Sequence, residues 1–435
     1  MQVAIDKLSD PLQRFPHFDR LLALYSTKDA YLVGGAIRDA LIGRPVTDLD
    51  LIFPDDPTAL AKVFARQIAG HWFWLDQARC QSRVVVNHDG ECLNYDFALF
   101  RAPDLERDLL DRDFTINTLA LPLTEDLSVS SLVDPFCGLK DLQQGTLRMV
   151  AKDSLANDPL RIIKGVRHAT ALGLTVEAGT LQAMERDVAG LDLIAPERIR
   201  QEIWKIIGDV QAPRGLQLLH ECGAGELLFG SGFAGSLTEL TGRLSACRIC
   251  WQHFASNEPI VNDWLALEVE QGLTNEILLL WTFLMSSIEC SLPIRLAEKW
   301  RLSRKTRTNI VAITGLDKAA LIEFAGIAHN ERAYAWWALR YRIDPQLLLL
   351  VLAALIGPLG VGPAPEELQS WAPLVGRIND KRPNDLVDGH WLRNELKLKE
   401  GPEMTKALQQ LRNAEISGQV TNRDEAHEFL KLMRS

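Results

Sequence analysis

Long hydrophobic runs are missing from this chain. The longest, residues 347–356, spans ten positions, too few to cross a bilayer as a helix, so it predicts a buried helix and no membrane partner. An excess of positive charge is missing too: 47 Lys and Arg face 57 Asp and Glu, a net charge of −10. A uniformly basic nucleic-acid binder is thereby excluded, and any RNA contact must use local basic patches. Cysteine is sparse, seven residues scattered along 435, which excludes a disulfide framework and predicts reduced thiols in the cytoplasm. The one close pair, Cys247-x-x-Cys250, has no second pair to complete a zinc site; it is read as helix packing, with a metal or redox site as the alternative. The N-terminus lacks a charged head followed by an apolar run, so no signal peptide is expected. Repeats of fixed period and low-complexity tracts are absent as well. Hydrophobic residues, by contrast, make up 47% of the chain, enough for two to four domains with their own cores.

Residues 1–150 mix strand and helix signals. Strand-like runs at 30–33, 48–53, 72–75, 82–86 and 94–100 alternate with helical spacing at 36–42 and 58–69. Residues 108–120 read as a helix entering the core, and 132–142 as strand, turn and helix start. From 151 onward strand signals vanish. The segments 151–210, 211–356 and 357–435 are expected to be all-helical, with the breaker-rich stretch 357–365 as a linker.

Residues 31–53 carry the strongest chemical pattern. Gly34-Gly35 lets the backbone turn sharply between a short strand and a short helix, so that a phosphate at the turn would meet backbone donors and the positive end of the helix dipole. Asp48 and Asp50, two apart in a strand, leave the same face and can share a divalent cation. Carboxylate oxygens together with phosphate and water suit Mg²⁺. The plainer alternative is a βαβ start with a solvated Asp pair on an edge strand. Asp96, alternating with apolar residues in 94–100, is either a third carboxylate of the site or a polar edge residue.

The run Gly34-Gly35-x-x-Arg38-Asp39 followed by Asp48-x-Asp50 resembles the first motif of the class II tRNA nucleotidyltransferases and bacterial poly(A) polymerases. That resemblance implies an α/β nucleotidyltransferase head (mixed sheet with helices) at 1–150, followed by all-α neck (151–210), body (211–356) and tail (357–435), the last two RNA-binding. It implies that Asp48 and Asp50 are catalytic and hold two Mg²⁺ ions, about 3.5–4 Å apart in such sites, one activating a 3′-hydroxyl and one bridging the triphosphate. No protein nucleophile is needed. Gly34, Gly35 and Arg38 then belong to the nucleotide site; Arg38 either follows the phosphates, braces the aspartates, or simply pairs with Asp39. Arg112, Asp113 and Asn117 resemble the second motif, where the ribose is read, although capping and salt bridging use the same residue types. Asp111 stands where the family usually has a first arginine.

Asn157-Asp158-Pro-Leu-Arg161 resembles the base-reading motif, usually Glu-Asp-x-x-Arg. Asp158 and Arg161, three apart on one helix, would share a face. A carboxylate accepting from an exocyclic amine beside a guanidinium donating to the ring matches cytosine and adenine and leaves uracil and guanine with unpaired groups. A capped helix with an ion pair is the alternative. Arg167 joins the nucleotide-binding set. Glu197, Arg198 and Glu202 look structural. Six cations, Arg295, Lys299, Arg301, Arg304, Lys305 and Arg307, stand against Glu298 alone; they are the candidate contact to RNA phosphates, or else a solvated helix face.

The expected activity is Mg²⁺-dependent transfer of a nucleotide to the tRNA 3′ end. Only ten residues, 102–111, separate Arg101 from Arg112, where CCA-completing members carry a long flexible stretch. This implies a CC-adding enzyme using CTP, possible alternatives being a complete CCA-adding enzyme, an A-adding enzyme or a poly(A) polymerase using ATP. Outside that class stands a non-catalytic RNA-binding relative.

Overall fold

Alternation commits Leu49, Leu51 and Phe53 to one side of a strand and Asp48, Asp50 and Ile52 to the other. The computed structural model keeps this division, with Leu49 and Leu51 buried and both aspartates exposed. It describes residues 8–25, 29–124, 126–316, 343–359, 391–393 and 419–432, with isolated positions between 401 and 414.

In order, the elements are α1 (Ser9–Gln13), α2 (Phe18–Tyr25), β1 (Tyr31–Val33), α3 (Gly35–Leu41), β2 (Asp48–Phe53), α4 (Thr58–Gln67), β3 (His71–Asp76), β4 (Gln81–His88), β5 (Glu91–Leu99), α5 (Leu105–Leu110), β6 (Ala120–Pro122), α6 (Gly138–Gln144), β7 (Thr146–Leu147), α7 (Ser154–Asn157), α8 (Leu160–Leu172), β8 (Thr175–Val176) and α9 (Ala178–Asp187). Then come α10 (Pro196–Gly208), α11 (Ala212–Glu221), α12 (Ala224–Phe229), α13 (Phe233–Asn257), α14 (Ile260–Ala266), β9 (Glu268–Glu270), β10 (Leu273–Thr274), α15 (Asn275–Ile288), α16 (Leu292–Lys299), α17 (Arg304–Thr314), α18 (Pro345–Leu359) and α19 (Arg423–Leu432). They divide into two compact units, Met1–Ala195 with Gln217–Leu227, and Pro196–Leu216 with Leu228–Ser435. The expected boundary after residue 150 falls inside the first unit.

The first unit is built on a six-stranded sheet in the order β3-β4-β5-β2-β1-β6. β2 and β5 run parallel, and the other neighbours are antiparallel. One face is packed with aromatics: Phe53, Tyr95 and Phe97 from the sheet meet Tyr25 of α2 and Phe64 of α4 at centroid distances of 5.0–6.2 Å. Each such ring contributes about 1.5–3 kcal/mol by leaving water. On the opposite face Val33, Ile52 and Ala120 form an apolar cluster with Leu105 and Leu109 of α5. Since Asp48 and Asp50 precede Ile52 on that same face, α5 covers its apolar end and leaves its acidic end open.

The expected helix over 108–120 does not form. α5 ends at Leu110, Phe114 is extended (φ −130°, ψ 150°) and bridges to Met149, and Thr115–Asn117 makes a single 3₁₀ turn. Asp113 is the breaker: its Oδ1 accepts the N–H of Phe114 at 2.8 Å, a local bond that competes with the helix ladder. Residues beyond 150 are largely helical, as expected, but they also hold strand β8, paired parallel to β7, and the hairpin β9–β10.

In the second unit Cys247 is buried on α13 and desolvation pushes its thiol up to about 12, so this half of the Cys-x-x-Cys pair packs a helix. Leu347 to Ala354 on α18 are 0–5% exposed, a buried helix as expected. Among the described residues no helix is long and apolar enough to cross a membrane. The stretch expected to be a linker at 357–365 begins inside α18, which continues to Leu359; residues 360–365 and most of the tail lie outside the described residues.

Candidate active site

Register brings the acidic residues together. β2 pairs with β5 so that Asp48 opposes Asn94 and Asp50 opposes Asp96, while Asp50 also faces Val33 of β1. Asn94 donates to Asp48 Oδ1 at 2.7 Å. Asp96 is engaged by Arg83 of β4, whose Nε and Nη2 donate to its two oxygens at 2.6 and 2.8 Å. Of the two readings of Asp96, it lies beside Asp50 on the site's own face, with a guanidinium already attached. Asp50 is reached by solvent along the sheet yet crowded by protein, and its carboxyl is raised above the usual range by lost hydration first and by Asp96 next. Two exposed carboxylates on one face, one of them disfavoured as an anion, form a hard-oxygen set that fits a divalent cation. Among the described residues there is no group of three or more His, Cys, Asp or Glu placed to hold a metal, so phosphate and water would supply the remaining ligands.

The glycine turn sits directly against this face. Gly34 has φ +75°, and a Cβ there would lie 3.2 Å from Arg112 Nη1 and 3.8 Å from Asp50 Oδ2. Only glycine fits both the backbone and the space. Gly35 opens α3. Arg112, just past α5, is drawn in by Asp108 at 3.4 Å and has its pKa lowered chiefly by desolvation. Arg38 pairs with Asp39 through Nε and Nη2, both at 2.9 Å, and its Nη1 donates to Asn117 Oδ1 at 2.7 Å. Arg38 thus has the Asp39 pairing, but as a buried side chain that also reaches Asn117 and not as a simple surface pair. Asn117 in turn donates to Asp113 Oδ1 at 2.9 Å, so one chain of bonds joins Asp39, Arg38, Asn117 and Asp113 and ties the first motif to the second.

The third motif departs from the expected geometry. α8 begins at Leu160, so Asp158 precedes the helix in extended backbone (φ −141°, ψ 91°) and shares no helical face with Arg161. Asp158 Oδ1 accepts the N–H of Leu160 at 3.3 Å. Arg161 is spread over backbone: Nη2 donates to the carbonyl of Asp111 at 2.6 Å, and Nη1 to the carbonyl of Arg112 at 3.1 Å and to Oγ of Ser154 at 2.9 Å. It pins the second motif to the third. Arg167 meets the ring of His168 at 3.1 Å.

The basic run lies in the other unit. Arg295 pairs with Glu289 at 2.7 Å and Arg301 with Glu197 at 3.1 Å, while Lys299, Arg304, Lys305 and Arg307 are exposed. Glu202 is 7% exposed and pairs with Lys205 at 3.2 Å, in keeping with a structural role.

Sequence reasoning passed over Arg83, Asn94 and Asp108. Arg83 and Asn94 matter only through cross-strand register, which no local pattern reveals. Asp108 offered one signal, an acidic residue four before an arginine on a helical stretch.

A family model described as "Poly A polymerase head domain" matches residues 30–148, and one described as "Probable RNA and SrmB- binding site of polymerase A" matches 173–232. The chain belongs to the tRNA nucleotidyltransferase and poly(A) polymerase family and is an enzyme of that class. It is 30% identical to a CC-adding tRNA nucleotidyltransferase of Geobacter sulfurreducens over 97% of this chain and 95% of the relative. An A-adding tRNA nucleotidyltransferase of Deinococcus radiodurans is 39% identical over 45% of this chain and 43% of its own length. The fold is that of the Bacillus stearothermophilus CCA-adding enzyme solved with CTP, with a TM-score of 0.64, 24% identity, and coverage of 96% of this chain and 98% of that one.

Proposed function

We propose that this enzyme adds two CMP residues from CTP to the 3′ end of tRNA and then stops. The observation that carries this reading is the connection between β5 and Arg112. It is short, and it is folded: Asp104 caps α5 by accepting the N–H of Arg107 at 2.9 Å, Leu105 and Leu109 pack on the sheet, and Asp108 holds both ends. A pocket that switches from cytosine to adenine needs an element able to absorb a backbone change, and this one is fixed. The full-length similarity to a CC-adding relative supports the same conclusion.

Asp48 and Asp50 would hold Mg²⁺, which when bound supplies charge neutralisation at the triphosphate and the attacking oxygen. Arg112, between Asp50 and the Gly34 turn, would meet the triphosphate. Asp113, with Oδ1 held by Phe114 and Asn117, keeps Oδ2 for a ribose hydroxyl. Arg161 is oriented by its carbonyl contacts and would read the base together with Asp158. The exposed cations of α17 would meet RNA phosphates. The test is to incubate tRNAs ending at the discriminator base, at C and at CC with each labelled triphosphate and sequence the products. CMP on the first two and nothing on the third is expected; efficient AMP addition to the third would make it a CCA-adding or A-adding enzyme.

A further inference from the structure

Asp108 is 1% exposed, and none of the chemistry above assigns it a substrate or a metal. A buried carboxylate is tolerated only where donors or charge match its oxygens. Here the two oxygens serve two different partners. Oδ1 accepts the backbone N–H of Arg101 at 2.8 Å, and Oδ2 lies 3.4 Å from Nη2 of Arg112. Those partners are the residues that bound the ten-residue connection. Arg112 itself is held by little else: its Nε is buried without a hydrogen-bond partner among the described residues, and its Nη1 lies against the Gly34 turn. Without Asp108 the guanidinium would lose the ion pair that orients it, and the connection would lose its closing bond.

We propose that Asp108 is a positioning residue for the nucleotide triphosphate, one carboxylate closing the Arg101–Arg112 connection and aiming the Arg112 guanidinium at the Gly34 turn beside Asp50. The proposal rests on Arg112 being the triphosphate contact. It makes a definite separation possible, because an asparagine at 108 can still accept from the Arg101 N–H through its amide oxygen but cannot form an ion pair with Arg112.

Asp108→Asn, Arg112→Gln and the double variant, all in the full-length protein, are compared by steady-state kinetics with CTP and tRNA and by calorimetric binding of CTP and CMP. Asp108→Asn is expected to raise KM for CTP about tenfold, the scale of one lost charge-assisted contact, with KM for tRNA and affinity for CMP unchanged. The double variant should be no worse than Arg112→Gln alone, since the two residues act as one unit. Additive losses, or a lower melting temperature with KM for CTP unchanged, overturn the role of Asp108. If Arg112→Gln itself leaves KM for CTP unchanged, Arg112 is not the triphosphate contact and the role of Asp108 falls with it. Arg112→Lys approaches the pair from the other side, keeping the charge but losing the fork; it should raise KM for CTP with Asp108 intact, and an unaltered KM counts against the proposal even if Asp108→Asn does not fold.

Discussion

Asp50 carries a conflict between stability and function. Its folded-state pKa is raised, so folding favours its protonated form, and the stabilising contribution is present below the ordinary carboxylate pKa of about 3.9 and lost as pH rises through the higher folded value. Ionising the group is therefore a net cost to the metal-free fold. Asp50→Asn should melt at a higher temperature than the parent at pH 7 in EDTA, and the difference should shrink as pH falls below the carboxylate range. The same change, or Asp48→Ala, should reduce transfer by at least about 100-fold, the scale of one group lost from a transition state, with tRNA affinity held within a few-fold. Activity surviving both substitutions would remove these residues from the chemistry. Asp48 and Asp50 were legible because strand alternation fixes their common face. Arg83 was not, because its salt bridge to Asp96 exists only once β4 and β5 have paired in register.

At the scale of elements, the site is a set of joints. Arg161 grips carbonyls of Asp111, Arg112 and Ser154, and carbonyls leave no mark in a sequence, which is why the residue was readable as a base selector but not as a clamp. Arg161→Ala should cost about 1–3 kcal/mol by leaving those acceptors unmatched; it should also relax discrimination against UTP and GTP about tenfold, the scale set by lost polar partners. Denaturant melts and misincorporation assays separate the two effects, and a stability loss with unchanged discrimination would leave only the clamp. The strands and short helices of the first unit were legible from periodicity. The misread helix at 108–120 shows where periodicity fails: Asp113 satisfies the backbone with its own side chain, and the extended backbone of Phe114 pairs with Met149 while its ring stays buried. α5 is what survives of that helix, and its cap tests the stall. Asp104→Ala should destabilise by about 1 kcal/mol, and if a fixed connection is what stops the enzyme after two cytidines, the variant should begin to place AMP on tRNA ending in CC.

For the whole molecule, a net charge of −10 must coexist with a polyanionic substrate, which requires cations to be concentrated rather than spread. The exposed Arg304 and Lys305 fill the first turn of α17, directly after its Ser303 cap, where Ser303 Oγ accepts the N–H of Thr306 at 3.2 Å. That is the positive end of the helix dipole, and a cation there costs about 0.3–1 kcal/mol of stability. Two cations kept at an unfavourable position are better explained by an anionic partner than by the needs of the fold. Structure and function thus predict opposite signs for one experiment. Replacing both with glutamate should raise the melting temperature, because acidic side chains suit a helix N-terminus, while weakening tRNA binding and flattening its salt dependence by about one unit of log–log slope for each lost phosphate contact. A melting temperature that rises with an unaltered salt slope would mean that α17 is a solvated face and that the RNA track runs elsewhere.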